Sequence, residues 1–197
     1  MDKSIENLFI ENGGQMRMSE AIKAGMSRYM LYSLRDKGLI EQIARGVYRL
    51  SNLPAVSDPD LISVSIKYPH AVLCLISALS IHEITTEIPR QVFIAMPRAS
   101  RIPIAQHPPL SVHRFSGGAY SEGIETRQME DFVIKVYSAE KTLADCFKYR
   151  NKIGMDVVLE ALKFYRERKR FDTNKLMHYA KICRVSNIMR PYLEASV

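Results

Sequence analysis

SEAIKAGMSRYMLYSLRDKGLIEQIARGVYRL, residues 19–50, changes its period once, and that change decides the fold. Up to Gly38 the apolar residues recur at helical spacing; beyond it they alternate. Ser19 is expected to cap a short helix with Ala21 and Ile22 inward, stopped at Gly25, a residue that takes the left-handed conformation of a C-cap. Met26 alone separates it from Ser27, a second N-cap, which opens a helix running to Gly38 with Met30, Leu31 and Leu34 inward. Two short helices joined by a glycine-containing turn of about four residues make a helix-turn-helix. Two alternating runs, 39–43 and 47–50, then flank Ala44-Arg45-Gly46, where Gly46 suits the positive φ of a type I turn with a bulge. A helix over 4–11, carrying Ile5, Leu8 and Phe9 on one side, and the extended piece QMRM (15–18) precede them. Helix, helix, turn, helix, hairpin is the order of a winged helix.

In a helix-turn-helix the N-terminal half of the second helix enters the major groove of double-stranded DNA. Its outward early residues are Ser27, Arg28, Tyr29, Tyr32 and Ser33, with Arg35 and Lys37 further along. Arginine can span guanine O6 and N7, and hydroxyls suit phosphates or base edges, so Arg28 is the candidate reader and Arg35 and Lys37 the candidate phosphate contacts. Arg45 at the hairpin tip would meet the adjacent minor groove or backbone, where the negative potential attracts a cation. One such module contacts little DNA, so a homodimer or cooperative binding to paired sites is expected. The other reading of these residues is a solvated helical surface used for protein contacts.

A linker rich in turn formers, SNLPAVSDPD (51–60), ends this module, giving expected domains of 1–52 and 53–197. Asp58-Pro59 has the form of an N-cap followed by proline at the first helical position, so a helix is expected to about residue 67. The run 71–84 is continuously apolar and then helix-like from Ser77. QVFIAMP (91–97), LSVHRFS (110–116) and DFVIKVYS (131–138) read as strands, and the intervening Pro and Gly clusters as loops. From about residue 139 the chain reads as helical, with Val157, Val158, Ala161, Leu162 and Tyr165 on one face of its second helix and a third helix from Asp172. The fold class is therefore α+β: a winged helix-turn-helix followed by a mixed domain with a helical C-terminal part.

With 197 residues, 47% of them hydrophobic, the chain can bury real cores. No run approaches the roughly 18 apolar residues of a membrane helix, and the first residues lack a signal-peptide core, so a cytoplasmic protein with no membrane contact is expected. Cys74, Cys146 and Cys183 stand far apart and read as buried small residues. A net charge of +7 favours a polyanionic partner, but the excess is uneven. Residues 1–52 hold eight basic and six acidic groups, 53–137 seven and eight, and 138–197 thirteen and seven. Within residues 17–49 seven bases face three acids. The C-terminal run RERKR, comprising Arg166, Arg168, Lys169 and Arg170 with Lys163 behind it, suits either the dipole of a helix C-terminus or a second surface for a polyanion or partner.

Catalysis is not called for, nor any cofactor or metal. The chain lacks G-x-S-x-G, P-loop, H-E-x-x-H and dinucleotide fingerprints. His107 and His113 have no ligand spacing, and Ser116-Gly117-Gly118 reads as a loop. Glu167-Arg168-Lys169 has nuclease-like spacing but lies at a helix end, where it reads as a solvated face. Asp145 reads as a partner for Lys141 one helical turn earlier.

The stretch MSEAIKAGMSRYMLYSLRDKGLIEQIARGVYRL, above all RGVYRL, resembles the N-terminal domain of the AbiEi family, antitoxins of type IV toxin-antitoxin systems linked to abortive phage infection. SALSIHEITTEIP, QVFIAMPR and VYSAEKTLADCFKYRNKIGMDVVLEALKFY follow in the order of segments in that family's C-terminal domain. The resemblance implies a transcriptional autorepressor that binds operator repeats in its own promoter and counters a nucleotidyltransferase-like toxin. It places the DNA-facing role on Arg28, Tyr29, Tyr32 and Arg45 and assigns the antitoxin role to no single residue. The alternatives are a stand-alone transcription factor whose second domain dimerises or senses a ligand, and an enzyme that processes nucleic acid.

Overall fold

A computed structural model describes residues 3–54, 57–103, 108–129, 132–168 and 171–194. The chain forms two compact units, Met1–Lys67 with Gln128–Phe132, and Tyr68–Arg127 with Val133–Val197. The first unit contains α1 (Lys3–Glu11), β1 (Gln15–Arg17), α2 (Met18–Lys23), α3 (Arg28–Asp36), β2 (Ile40–Ala44), β3 (Val47–Leu50) and α4 (Pro59–Lys67). Its antiparallel sheet has the order β1-β3-β2, so this is the winged-helix arrangement expected. Helix α4, which lies beyond the boundary expected at residue 52, falls in this unit; Asp58 caps it by accepting from the Leu61 N–H at 3.1 Å.

Local chemistry explains the tight helix-turn-helix. Gly25 holds φ +92 after α2, which lets the Met26 N–H reach the Ala21 carbonyl at 2.9 Å and turns the Met26 side chain into the core. Ser27 then caps α3, its hydroxyl accepting from the Met30 N–H at 3.1 Å. Phe9, Met16, Ala21, Met26, Leu31, Leu34, Ile40, Tyr48 and Leu50 close around one core. Each large side chain fully removed from water there contributes about 1.5–3 kcal/mol.

Three expectations in this unit need correction. Helix α2 begins at Met18, not after a Ser19 cap, because the Glu20 carboxylate accepts from the Arg17 N–H at 2.9 Å and serves as the cap one turn in. Ile22 and Met30, read as inward, are 40% and 38% exposed. Both helices are short, and the core accepts only Ala21 from α2 and Leu31 and Leu34 from α3.

The second unit contains β4 (Val72–Leu73), α5 (Leu75–Ile81), β5 (Val92–Pro97), β6 (Leu110–Phe115), α6 (Gly118–Ser121), most of β7 (Ile124–Met129) and β8 (Phe132–Tyr137), α7 (Ala139–Ile153), α8 (Met155–Arg166), α9 (Thr173–Ile182) and α10 (Ser186–Glu194). The five strands run in the order β6-β5-β4-β8-β7, with β4 antiparallel to β5, and with β5/β6 and β4/β8 parallel. Strand β7 is not among the strands that the sequence predicts. It is an edge strand whose sequence, IETRQM, lacks the apolar alternation that marks a half-buried strand.

Helix α7 packs on α5, α8 and α9 and is buried without interruption from Ala139 to Phe147. That burial takes in Lys141 and Asp145, which form the expected pair at 2.5 Å, while the Cys183 thiol donates to Asp145 at 3.1 Å. Burial raises the Asp145 pKa, and the Lys141 ammonium opposes that rise. Lys141 also lies over the Tyr137 ring at 4.2 Å, so its charge is met on two sides. The three cysteines are buried and free, as expected. Among the described residues no helix is long and apolar enough to cross a membrane.

Candidate nucleic-acid interface

Helix α3 carries its apolar side chains Leu31 and Leu34 into the core and leaves the opposite face in solvent. Ser27, Arg28, Tyr29, Tyr32, Arg35 and Lys37 are exposed, Tyr29 to 82%, and Ser33 is half-buried. The hairpin of β2 and β3 stands beside this face. Gly46 at its tip holds φ +74, and the register shifts between Gln42 and Ala44, which leaves Arg45 exposed at the turn.

Helix and hairpin enclose a groove of about 690 Å³. Arg28, Tyr32 and Arg35 line it from α3, and Gln42 and Arg45 from the hairpin. A second cleft, of about 440 Å³, has Arg17, Arg28, Arg45 and Lys67 in its wall. Arg28 and Arg45 are common to both linings.

The charges differ in availability. Arg35 donates to Asp36 through Nη2 at 2.8 Å and Nε at 3.0 Å and lies 5.2 Å from the Tyr32 ring centroid. The Asp36 carboxylate raises the Arg35 pKa through that hydrogen bond and its charge. Arg17 is tied to the Ile66 carbonyl at 3.0 Å. Arg49, counted above among the local cations, is 2% exposed and donates to the Pro54 carbonyl at 2.7 Å, with Glu41 3.5 Å away. Among the described residues neither Arg28 nor Arg45 has an ion-pair partner.

The structure thus brings Arg28, Tyr32, Arg35 and Arg45 to one groove and leaves Ser27, Tyr29, Ser33 and Lys37 outside its lining. Gln42, Arg17 and Lys67 were not singled out in the sequence. The hairpin alternation exposes Gln42, and Lys67 lies beyond the expected domain boundary.

The second candidate surface is less continuous than its sequence. Lys163 is exposed, but Arg166 lies 5.5 Å from the Phe171 ring centroid, and Arg168 donates to the His82 carbonyl. Lys169 and Arg170 lie outside the described residues, as does His107. Among the described residues no group of histidines, cysteines and carboxylates could hold a metal. His82 is buried, donating through Nε2 to the Tyr137 carbonyl at 2.6 Å and accepting at Nδ1 from Arg127 at 2.9 Å, a structural tautomer. Burial, opposed by that carbonyl, lowers its pKa.

Residues 3–51, which contain both walls of the groove, match the family described as "Transcriptional regulator, AbiEi antitoxin". The match covers the winged helix and about a quarter of the chain. No curated protein matches the chain. Among solved structures, the chain resembles the crystal structure of the RV2827C protein from Mycobacterium tuberculosis, with a TM-score of 0.59 and 17% sequence identity over 85% of this chain. The match covers 66% of that protein, just under two thirds of its length. At this identity the likeness is one of fold. Its extent reaches well beyond residues 3–51 into the second unit.

Proposed function

We propose that this protein is the antitoxin of a type IV toxin-antitoxin system and represses its own promoter. Helix α3 enters the major groove at each operator half-site, with Arg28 reading a base and Tyr29 and Tyr32 meeting base edges or phosphates. Arg45 engages the backbone or minor groove beside it, and Arg35 and Lys37 touch phosphate. The observation that carries this reading is the groove in which Arg28, from the helix, and Arg45, from the wing, present cations that no acidic side chain of the described chain neutralises. Two copies on paired repeats supply the contact area that one module lacks. The protein acts in the cytoplasm, and its second unit counters a nucleotidyltransferase-like toxin.

A gel-shift experiment with full-length protein on its own upstream region tests the repressor reading. Retardation of that duplex at concentrations that leave a scrambled duplex free is the expected result; no preference would refute it. Co-expression with a neighbouring nucleotidyltransferase tests the antitoxin reading separately, through rescue of growth.

A further inference from the structure

A second cationic cleft lies wholly within the second unit, away from every residue given a role above. It encloses about 870 Å³, and Arg98, Lys148, Arg150 and Arg184 line it together with a single carboxylate, Glu122. His178 holds that carboxylate at 3.0 Å, so it faces a partner of its own. Arg98 follows β5 and Ser116 follows β6, and the Arg98 N–H donates to the Phe115 carbonyl at 2.8 Å, tying the two strand ends together. Because β5 and β6 are parallel, the cleft opens at their shared carboxyl ends, where open α/β sheets commonly take ligands. Helix α7 supplies Lys148 and Arg150, and Arg150 also donates through Nη1 to the Phe147 carbonyl at 2.9 Å.

Arg184 adds an independent sign. It holds φ +61 just past α9, where the Val185 N–H bonds the Ala180 carbonyl at 2.8 Å, the closing turn that glycine ordinarily makes. An arginine in that conformation is strained, and Arg184 lines the cleft.

Four cations and a volume in the usual range of about 300–1,000 Å³ for small-ligand sites fit a compact, multiply charged anion. Ile182, Val185 and Ile188 give the cleft one apolar wall. Its lining has no aromatic side chain on which successive bases would stack, and that argues against a track for single-stranded nucleic acid. We propose that this cleft binds a phosphorylated small molecule of the nucleoside di- or triphosphate class, its phosphates on the four cations and its apolar part against the isoleucines.

Isothermal titration of the full-length protein with ATP, pyrophosphate, adenosine and a short single-stranded oligonucleotide tests the proposal. ATP and pyrophosphate are expected to saturate one site per chain, and adenosine to give no signal. Arg184→Gly, which relieves the strained backbone while removing the cation, should weaken ATP at least tenfold without lowering the melting temperature. Lys148→Gln should also weaken it, and Lys23→Gln on α2, an exposed lysine of the first unit, should not. No saturable binding of ATP or pyrophosphate at millimolar concentration overturns the proposal, as does ATP binding that Arg184→Gly and Lys148→Gln leave unchanged. Binding of the oligonucleotide alone, lost in the same two variants, would make the cleft a nucleic-acid contact instead.

Discussion

Replacing Arg45 with alanine removes a cation from the tip of the wing and little else. The side chain is exposed and has no ion-pair partner among the described residues, so the change should alter stability by no more than about 0.5 kcal/mol. If Arg45 neutralises one phosphate, its loss lowers the slope of log K against log salt by about 0.9. Between about 50 and 200 mM salt, a fourfold change, the deficit of the variant therefore shrinks by about 3.5-fold. In a dimer with both wings engaged, the slope falls by about 1.8 and the deficit shrinks about twelvefold. Arg35 would report less cleanly, since Asp36 already shares its charge at 2.8 Å. Fluorescence anisotropy on the upstream duplex and on a scrambled duplex, at four or more salt concentrations, supplies the slopes. Parallel lines for wild type and variant would remove the wing from the interface. A loss restricted to the upstream duplex would convert Arg45 from a backbone contact to a base contact.

Arg28→Ala should cost about 1–3 kcal/mol on the upstream duplex and less on a scrambled one, since a base contact is lost only where that base is present; equal losses would make Arg28 a phosphate contact. Asp145→Asn leaves the Lys141 ammonium enclosed without its counter-ion, and urea unfolding should show a loss of about 3–5 kcal/mol; a loss below about 1 kcal/mol would mean that water or the Tyr137 ring already carries that charge. Burial, aided by Lys152, holds the His113 pKa at about 4. Between that value and the unfolded value of about 6.5 the unfolded chain binds the extra proton, so stability rises with pH across the window and is lost on descending through it. With each pH unit worth about 1.4 kcal/mol, and the ring partly open to solvent, the loss should be about 1–2 kcal/mol at pH 4. His113→Phe should flatten that slope in urea melts at pH 4.5 and 6.5, and an unchanged slope would assign the acid sensitivity to other groups.

The winged helix was legible because its boundaries are written in local chemistry. Gly25 permits a left-handed turn, Ser27 supplies a cap, and Gly46 permits the hairpin tip; each acts on neighbours a few residues away. What faces inward was less legible. Ile22 and Met30 match a helical stripe, yet the core has room for only one or two side chains from each short helix, and that room is set by β1 and β3 from elsewhere in the chain. The β7 edge strand escaped because its residues are mostly polar, and its place depends on β8 rather than on its own pattern.

Charge is the clearest case of the same physics. By sequence, Arg17, Arg35 and Arg49 count equally with Arg28 and Arg45 toward a basic surface. In the fold, the Ile66 carbonyl, Asp36 and the Pro54 carbonyl already occupy the first three. A guanidinium with an internal acceptor must exchange that bond for a phosphate, so its net gain on binding is small; one that gives up only water gains the released counter-ions as well. The same sorting applies to Arg166 and Arg168, turned toward Phe171 and the His82 carbonyl, and within the cleft beside β5 and β6 to Arg150, which donates to the Phe147 carbonyl at 2.9 Å. Partnering inside the fold, which depends on long-range packing, therefore separates cations available to a ligand from structural ones more sharply than any local count of lysines and arginines can.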